Sequence, residues 1–263
     1  MLLLSIGRRL VLSDRKASVR YVMKRTRTIK HDVNEISNKY AKRLANEQYN
    51  VIKTSQKDAK EVAVEKLKNG EVIAIPTDTV YGLTCSANNP KAISNLYKIK
   101  KRNELKPVAI CVPKIEDFRC WGESDHLVDE LLKELLPGPV TIVVKRSPKL
   151  IRELNPDVPN IGIRITENSF IQEVCEAFGE PIALTSANKS SSQSTLKVTE
   201  FKELWPELGA VFNGGQLGLS EAQRAASTVI DLSVPGHYKI IRRGVSVEEI
   251  IKIVEKYNIR PSV

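Results

Sequence analysis

The sequence excludes a good deal through what it lacks. Its four cysteines, Cys85, Cys111, Cys120 and Cys175, form no C-x-x-C pair, which argues against a zinc ribbon, a dithiol redox motif or a disulfide scaffold. A reducing compartment is implied, and Cys111 and Cys175, in apolar-periodic segments, read as core residues. Three histidines, His31, His126 and His237, show no H-E-x-x-H or comparable metal spacing. There is no G-x-x-x-x-G-K-[ST] and no G-x-G-x-x-G, so any nucleotide binding is not that of a P-loop, kinase or Rossmann protein. Gly214-Gly215-x-x-Gly218 is only a loop signal. No Ser/His/Asp or Cys/His constellation stands out, and His126 falls on an amphipathic helical stretch, where it reads as solvated. Apolar runs are too short to span a membrane.

Charge is plentiful but uneven. The formal net charge is +10, and residues 1–30 set nine cations against Asp14 alone, a net +8 that leaves +2 for the other 233 residues. The bulk of the chain therefore gives no electrostatic case for nucleic acid. The front is Arg-rich, almost acid-free and interspersed with Leu2, Leu3, Leu4, Ile6 and Leu10, the composition of a mitochondrial presequence; a disordered basic arm is the alternative. Met23 as a second start would add a cytoplasmic form, so cytoplasm and mitochondrion are both expected locations. The expected organisation is a basic segment over residues 1–50 and one folded domain over 55–255.

From residue 57 helical and strand patterns alternate with short connections, the form of an α/β domain. Asp58 with Glu61 resembles a capping box opening a helix that Gly70 ends, and Ser246 with Glu249 resembles another. Asn89-Pro90 predicts a capped helix with Ile93, Leu96 and Tyr97 inward. Further helices are predicted over Leu127–Leu136 and Ile171–Phe178. Predicted strands are Val72–Ile75, Val108–Val112, Thr141–Val144, Ile161–Ile165, Ile182–Thr185, Ala210–Phe212, Thr228–Leu232 and Lys239–Ile241. Lys189–Ser194 is a polar loop with the character of a lid.

Four segments place polar or basic residues at the ends of apolar elements, where α/β proteins build sites. Pro76-Thr77-Asp78-Thr79-Val80-Tyr81-Gly82-Leu83 follows a buried strand and alternates hydroxyls at Thr77, Thr79 and Tyr81; a turn with satisfied hydroxyls is the bland alternative. Lys98 to Asn103 crowds cations at a helix end, where they also suit the helix dipole; Arg102 could clamp an anion and Lys100 act as a point charge on a polyphosphate. Thr185-Ser186-Ala187-Asn188 and Ile241-Arg242-Arg243-Gly244 close two further strands, and each is also ordinary turn chemistry.

In this order and spacing the segments resemble the YrdC-domain family of L-threonylcarbamoyl-adenylate synthases, specifically its short animal form, over about residues 55–255. The resemblance rests on Pro76 to Leu83, a K-x-R pair at Lys100 and Arg102 and an S-x-N pair at Ser186 and Asn188. It implies a YrdC-like single domain, a twisted strand-rich mixed sheet with surrounding helices and a basic concave cavity. It implies a nucleotidyltransferase that makes threonylcarbamoyl-AMP and pyrophosphate from L-threonine, bicarbonate or CO2 and ATP with Mg2+, for threonylcarbamoyladenosine modification of tRNA. A separate transferase complex would take the product onward. By position, Lys100, Arg102, Ser186 and Asn188 carry catalysis; Thr141, Ser194 and Arg242 join Lys100, Arg102 and Ser186 on the nucleotide; Thr77, Tyr81, Arg164 and Ser227 hold threonine. No metal ligand is assigned to a protein side chain. Two positions depart: some relatives have His where Cys111 stands, and many have Pro where Arg243 stands.

The alternative from another class is an RNA-binding module using the same basic cavity. Seven tyrosines, five phenylalanines and two tryptophans, none interleaved with cations as a stacking platform, give it little support beyond weak RNA or tRNA contact.

Overall fold

Period-two alternation along the strands decides which residues face which layer. The computed structural model describes residues 50–101, 107–189, 192–218 and 224–262. The presequence-like front, the second start at Met23 and the Arg102 assignment lie outside the described residues.

The strands are β1 (Val51–Lys53), β2 (Ile73–Ile75), β3 (Gly82–Ser86), β4 (Ala109–Cys111), β5 (Gly122–Glu123) and β6 (Val140–Arg146). They continue with β7 (Asn160–Arg164), β8 (Ile182–Ser186), β9 (Ala210–Asn213), β10 (Thr228–Asp231), β11 (His237–Arg242) and β12 (Arg260–Pro261). All join one 12-stranded mixed sheet in the order β1-β9-β2-β3-β8-β4-β7-β6-β10-β11-β12, with β5 paired to β6. The helices are α1 (Ala59–Lys68), α2 (Pro90–Lys100), α3 (Ile115–Trp121), α4 (Asp129–Leu135), α5 (Ser169–Phe178) and α6 (Val247–Lys256). A 3-10 segment covers Val198–Glu207.

On one face of the sheet Leu83, Ile110, Ile142, Ile163 and Ile230 meet Leu96 of α2, Phe118 of α3, Leu132 of α4 and Val254 of α6 in the larger core. On the other, Ile73, Ile182 and Phe212 meet Leu67 of α1 and Val174 and Cys175 of α5. Each such fully buried Leu, Ile or Phe contributes ~1.5–3 kcal/mol. Both the α1–α5 layer and the strand set β4, β7, β6 and β10 use this second face, and the two helices cover only part of it. The remainder is where a cavity opens.

Local signals hold in some places and fail in others. Asn89 caps α2, its side chain accepting the Ala92 N–H at 3.1 Å, and Lys101 ends the helix in the left-handed region. The two capping boxes do not form. Asp58 makes no side-chain cap bond and accepts from Gln56 instead, while Ser246 lies at φ 56°, away from the extended backbone that capping hydroxyls need. His126 precedes α4 rather than lying on it, and its Nε2 sits 2.8 Å from the Leu232 carbonyl.

Candidate active site

The open part of the second sheet face forms a cavity of about 460 Å3. Its floor follows from strand register. Thr141 of β6 pairs with Val229 of β10, and Val229 pairs with Arg242 of β11. Arg164 of β7 stands beside Thr141, one step beyond the Ile142–Ile163 pair. Residues three strands apart in space and 78 positions apart in sequence, Arg164 and Arg242, thus flank one polar row. Thr77, Tyr81 and Ser186 line the wall at the same end.

The loop between β2 and β3 is tied inward. Thr77 Oγ1 donates to the Val80 carbonyl at 2.7 Å and accepts from the N–H groups of Thr79 and Val80 at 3.2 Å. Arg164 Nη2 donates to Thr79 Oγ1 at 2.8 Å and forms an ion pair with Asp78. Asp78 Oδ2 also accepts the Glu167 N–H at 3.0 Å. Arg164 Nε is buried without a hydrogen-bond partner among the described residues. The three alternating hydroxyls do not share one ligand-facing row. Thr77 and Thr79 contact each other at 3.2 Å, whereas the Tyr81 hydroxyl donates to the Gly215 carbonyl at 2.6 Å and accepts the Gly214 N–H at 3.0 Å. Burial pushes the Tyr81 phenol up to about 12. The Gly214-Gly215 loop, featureless in sequence, is thereby the anchor of a cavity residue.

Ser227 couples the other wall. Its Oγ lies 2.8 Å from Thr141 Oγ1, and Arg242 Nη2 donates to its carbonyl at 2.7 Å and to its Oγ at 3.2 Å. Gly244 permits this arrangement, because a Cβ there would fall 2.2 Å from the Ala226 carbonyl oxygen.

Lys100 departs from expectation. It is 1% exposed rather than solvent-reachable, and its ammonium donates to the Ser186 carbonyl at 2.6 Å, the Asn188 carbonyl at 2.5 Å and Asn188 Oδ1 at 3.2 Å. Through these contacts, made among the described residues, Lys100 shapes the loop after β8 from beneath the cavity. Asn188 is buried and ties that loop further by donating to the Ser192 carbonyl at 2.5 Å. Neither Asn188 nor Ser194 lines the cavity; the Ser194 carbonyl accepts from Arg224 at 2.9 Å. Cys111 is buried under α5 beside Cys175 and is not in the cavity wall, and exposed Arg243 pairs with Glu248.

Sequence reasoning missed Asn160, Gly162 and Asp231, which also line the cavity. Their only sequence signal is alternation: each lies two residues from another cavity residue on the same strand. Among the described residues no His, Cys, Asp and Glu cluster is gathered as a metal site, and no helix is long and apolar enough to cross a membrane.

Residues 65–244 match the family model Sua5/YciO/YrdC, described as telomere recombination. The chain is 45% identical over 207 residues to the threonylcarbamoyl-AMP synthase of Bos taurus, covering 78% of this chain and 75% of that one. It is 45% identical over 208 residues to that of Homo sapiens, covering 78% and 74%. Among solved structures, P. abyssi Sua5 complexed with L-threonine superposes with a TM-score of 0.72 at 25% identity; the match covers 81% of this chain and 62% of that longer one. E. coli YciO superposes at 0.67 with 26% identity, covering 76% and 96%. With more than half of its length under the family model and mammalian relatives at this identity, the chain belongs to the Sua5/YciO/YrdC family.

Proposed function

We infer that the chain is a threonylcarbamoyl-AMP synthase, a nucleotidyltransferase that serves tRNA modification. The observation that carries this is the contact between Thr141 and Ser227. Residues assigned to the nucleotide (Thr141, Ser186, Arg242) and to threonine (Thr77, Tyr81, Arg164, Ser227) line one cavity, and these two touch at 2.8 Å. A volume of about 460 Å3 lies in the range of pockets that enclose a drug-sized ligand.

The chemistry balances without a covalent enzyme intermediate. The threonine nitrogen forms a bond to the carbon of CO2 and gives up a proton, or bonds to the carbon of bicarbonate as a C–O bond breaks and water leaves; either route gives a carbamate. A carbamate oxygen then bonds to the α-phosphorus of ATP as the bond to the β-phosphate oxygen breaks and pyrophosphate leaves. Charge and alignment make up most of such a barrier. Arg164, fixed by Asp78 and Thr79, offers a guanidinium edge to the threonine carboxylate. Arg242 stands on the opposite wall, and the Lys100 charge beneath Ser186 and Asn188 adds to the positive potential on the nucleotide. Mg2+ carried in with ATP would supply charge to offset the phosphates, with no protein side chain assigned to hold it. The Ser186 hydroxyl supplies a neutral contact at the strand end.

The RNA-binding alternative loses ground on the cavity walls, where Tyr81 is the one aromatic residue among the described residues, buried and hydrogen-bonded rather than free to stack on a base. The Arg-rich front supports mitochondrial import of one form and cytoplasmic residence of another starting at Met23; fluorescent fusions of each form test this. The activity itself is tested by following labelled bicarbonate carbon into a product that contains both threonine and AMP. Label in that product confirms the synthase, and its absence with ATP, Mg2+ and threonine present contradicts it.

A further inference from the structure

Ser194 stands outside the cavity, yet the short segment 194–196 is bound to several elements that form it. The Ser194 carbonyl accepts from Arg224 at 2.9 Å, and the Leu196 N–H donates to Glu200 Oε2 at 3.0 Å. Arg224 and Glu200 are themselves paired at 2.7 Å. The Leu196 carbonyl accepts the Leu217 N–H at 3.0 Å, just past Gly214 and Gly215, which hold the Tyr81 hydroxyl.

Thr195 sits between these ties. Its carbonyl accepts the Tyr81 N–H at 2.9 Å, the Tyr81 carbonyl accepts the Ala187 N–H at 2.7 Å, and Thr195 Oγ1 donates to the Ala187 carbonyl at 3.0 Å. These bonds close a ring through Tyr81, Ala187 and Thr195, which are 0%, 0% and 5% exposed. Two of them join main chain to main chain. The third comes from a side chain and can be removed alone.

The ring lies where the sheet stops setting distances. Gly82 pairs with Ser186 at the end of the β3–β8 ladder, so Tyr81 and Ala187 are the first residues beyond it. Tyr81 lines the threonine side of the cavity, and Ala187 directly follows Ser186 on the nucleotide side. Each side keeps an anchor of its own: the Tyr81 hydroxyl on Gly214 and Gly215, and the Lys100 ammonium on the Ser186 carbonyl. Losing the Thr195 hydroxyl leaves both anchors in place and loosens the spacing between them. A looser spacing is felt in the step that joins two bound ligands more than in the binding of either one.

We propose that Thr195 is a positioning residue of the synthase reaction. Acting through Ala187 and Tyr81, its hydroxyl fixes the distance between the threonine side and the nucleotide side of the cavity, although Thr195 itself does not line it. The inference rests on the synthase reading and deepens it.

The test is steady-state pyrophosphate release by the full chain and its Thr195→Val, Thr195→Ser and Thr195→Ala variants, with thermal melts to establish folding. Threonine and valine are both branched at Cβ and differ in the hydroxyl; serine and alanine repeat that comparison without the methyl group. In Thr195→Val and Thr195→Ala, kcat is expected to fall about tenfold, and in Thr195→Ser to stay within about threefold of wild type. KM for ATP and for threonine is expected to move by less than about threefold in all three. A loss that appears in KM instead, a serine variant no better than the alanine variant, or hydroxyl-free variants within about twofold of the wild-type kcat each overturns the inference. Failure of both hydroxyl-free variants to fold overturns it too, since the hydroxyl would then serve the fold. All of these results leave the synthase reading intact, because the wild type is active in each. Wild-type chain that releases no pyrophosphate with threonine and bicarbonate present overturns both.

Discussion

Arg164 and Asp78 form an ion pair in which the two side chains are 7% and 8% exposed, joining the end of β7 to the loop between β2 and β3. The guanidinium that faces the cavity is therefore held in place by the same loop that supplies Thr77 and Tyr81. Removing one member of a buried pair leaves the other uncompensated, at about 3–5 kcal/mol. Asp78→Asn keeps the shape and removes the charge, so stability in urea is expected to fall toward the lower end of that range. Threonine affinity should fall with it, and ATP affinity should change less. Unaltered threonine binding in folded Asp78→Asn protein would contradict the role given to Arg164.

Lys100→Met retains the aliphatic stem but orphans the carbonyls of Ser186 and Asn188. Each buried acceptor left unsatisfied costs about 1–3 kcal/mol. Urea denaturation should show a loss of a few kcal/mol (roughly 2–4) together with a steep drop in turnover. A variant as stable as wild type would show that the ammonium does not hold this loop.

Gly162→Val places a branched side chain on the flat floor, where even a Cβ meets the Thr141 methyl at 2.9 Å. Overpacking here costs about 1–3 kcal/mol and fills the slot. The expected outcome is loss of ATP binding by tenfold or so or more with a smaller effect on threonine binding, read by titration of each ligand separately. A larger loss for threonine than for ATP would place the floor under the amino acid rather than the nucleotide.

Tyr81 provides a pH test. Its phenol is neutral when protonated, and burial raises it from 10.0 to about 12 in the folded protein. The folded state thus holds this proton more tightly than the unfolded chain does. That stability is fully present below pH 10, the ordinary tyrosine value, and is lost as pH rises through about 12. Tyr257 is likewise raised to about 12, by its hydrogen bond to Glu134, and Tyr238, Cys85 and Cys175 are raised too, so the wild-type slope contains all of these. Tyr81→Phe is expected to flatten the fall in stability between these limits, measured as the change in unfolding midpoint with pH. An unaltered slope would show that Tyr81 is not protected in the fold.

The strands were the most legible feature because one face of each carries an uninterrupted apolar set. Ile142, Ile163 and Ile230 announce their strands by alternation alone. β1, with only Val51–Lys53 and two half-buried residues, carries too little pattern to be seen, and the seven residues of α3 bury only Phe118. β3 was hidden because its second face is Gly82, Thr84 and Ser86, polar or absent side chains that are nonetheless buried. Cavity residues were legible where a strand ended on hydroxyls or arginines. Asp231 was not, since an acid at a strand end reads as a turn, and its relation to Asn160 depends on a sheet that brings positions 71 apart in sequence together. Lys100 was legible only as one of several cations at a helix end, and its burial could be seen only once the β8 loop was placed over it.

The most direct measurement is pyrophosphate release from ATP by the purified chain, with threonine and bicarbonate each supplied or omitted. Release that requires both, and falls when serine replaces threonine, is the predicted result. Release indifferent to threonine and bicarbonate would contradict the synthase assignment.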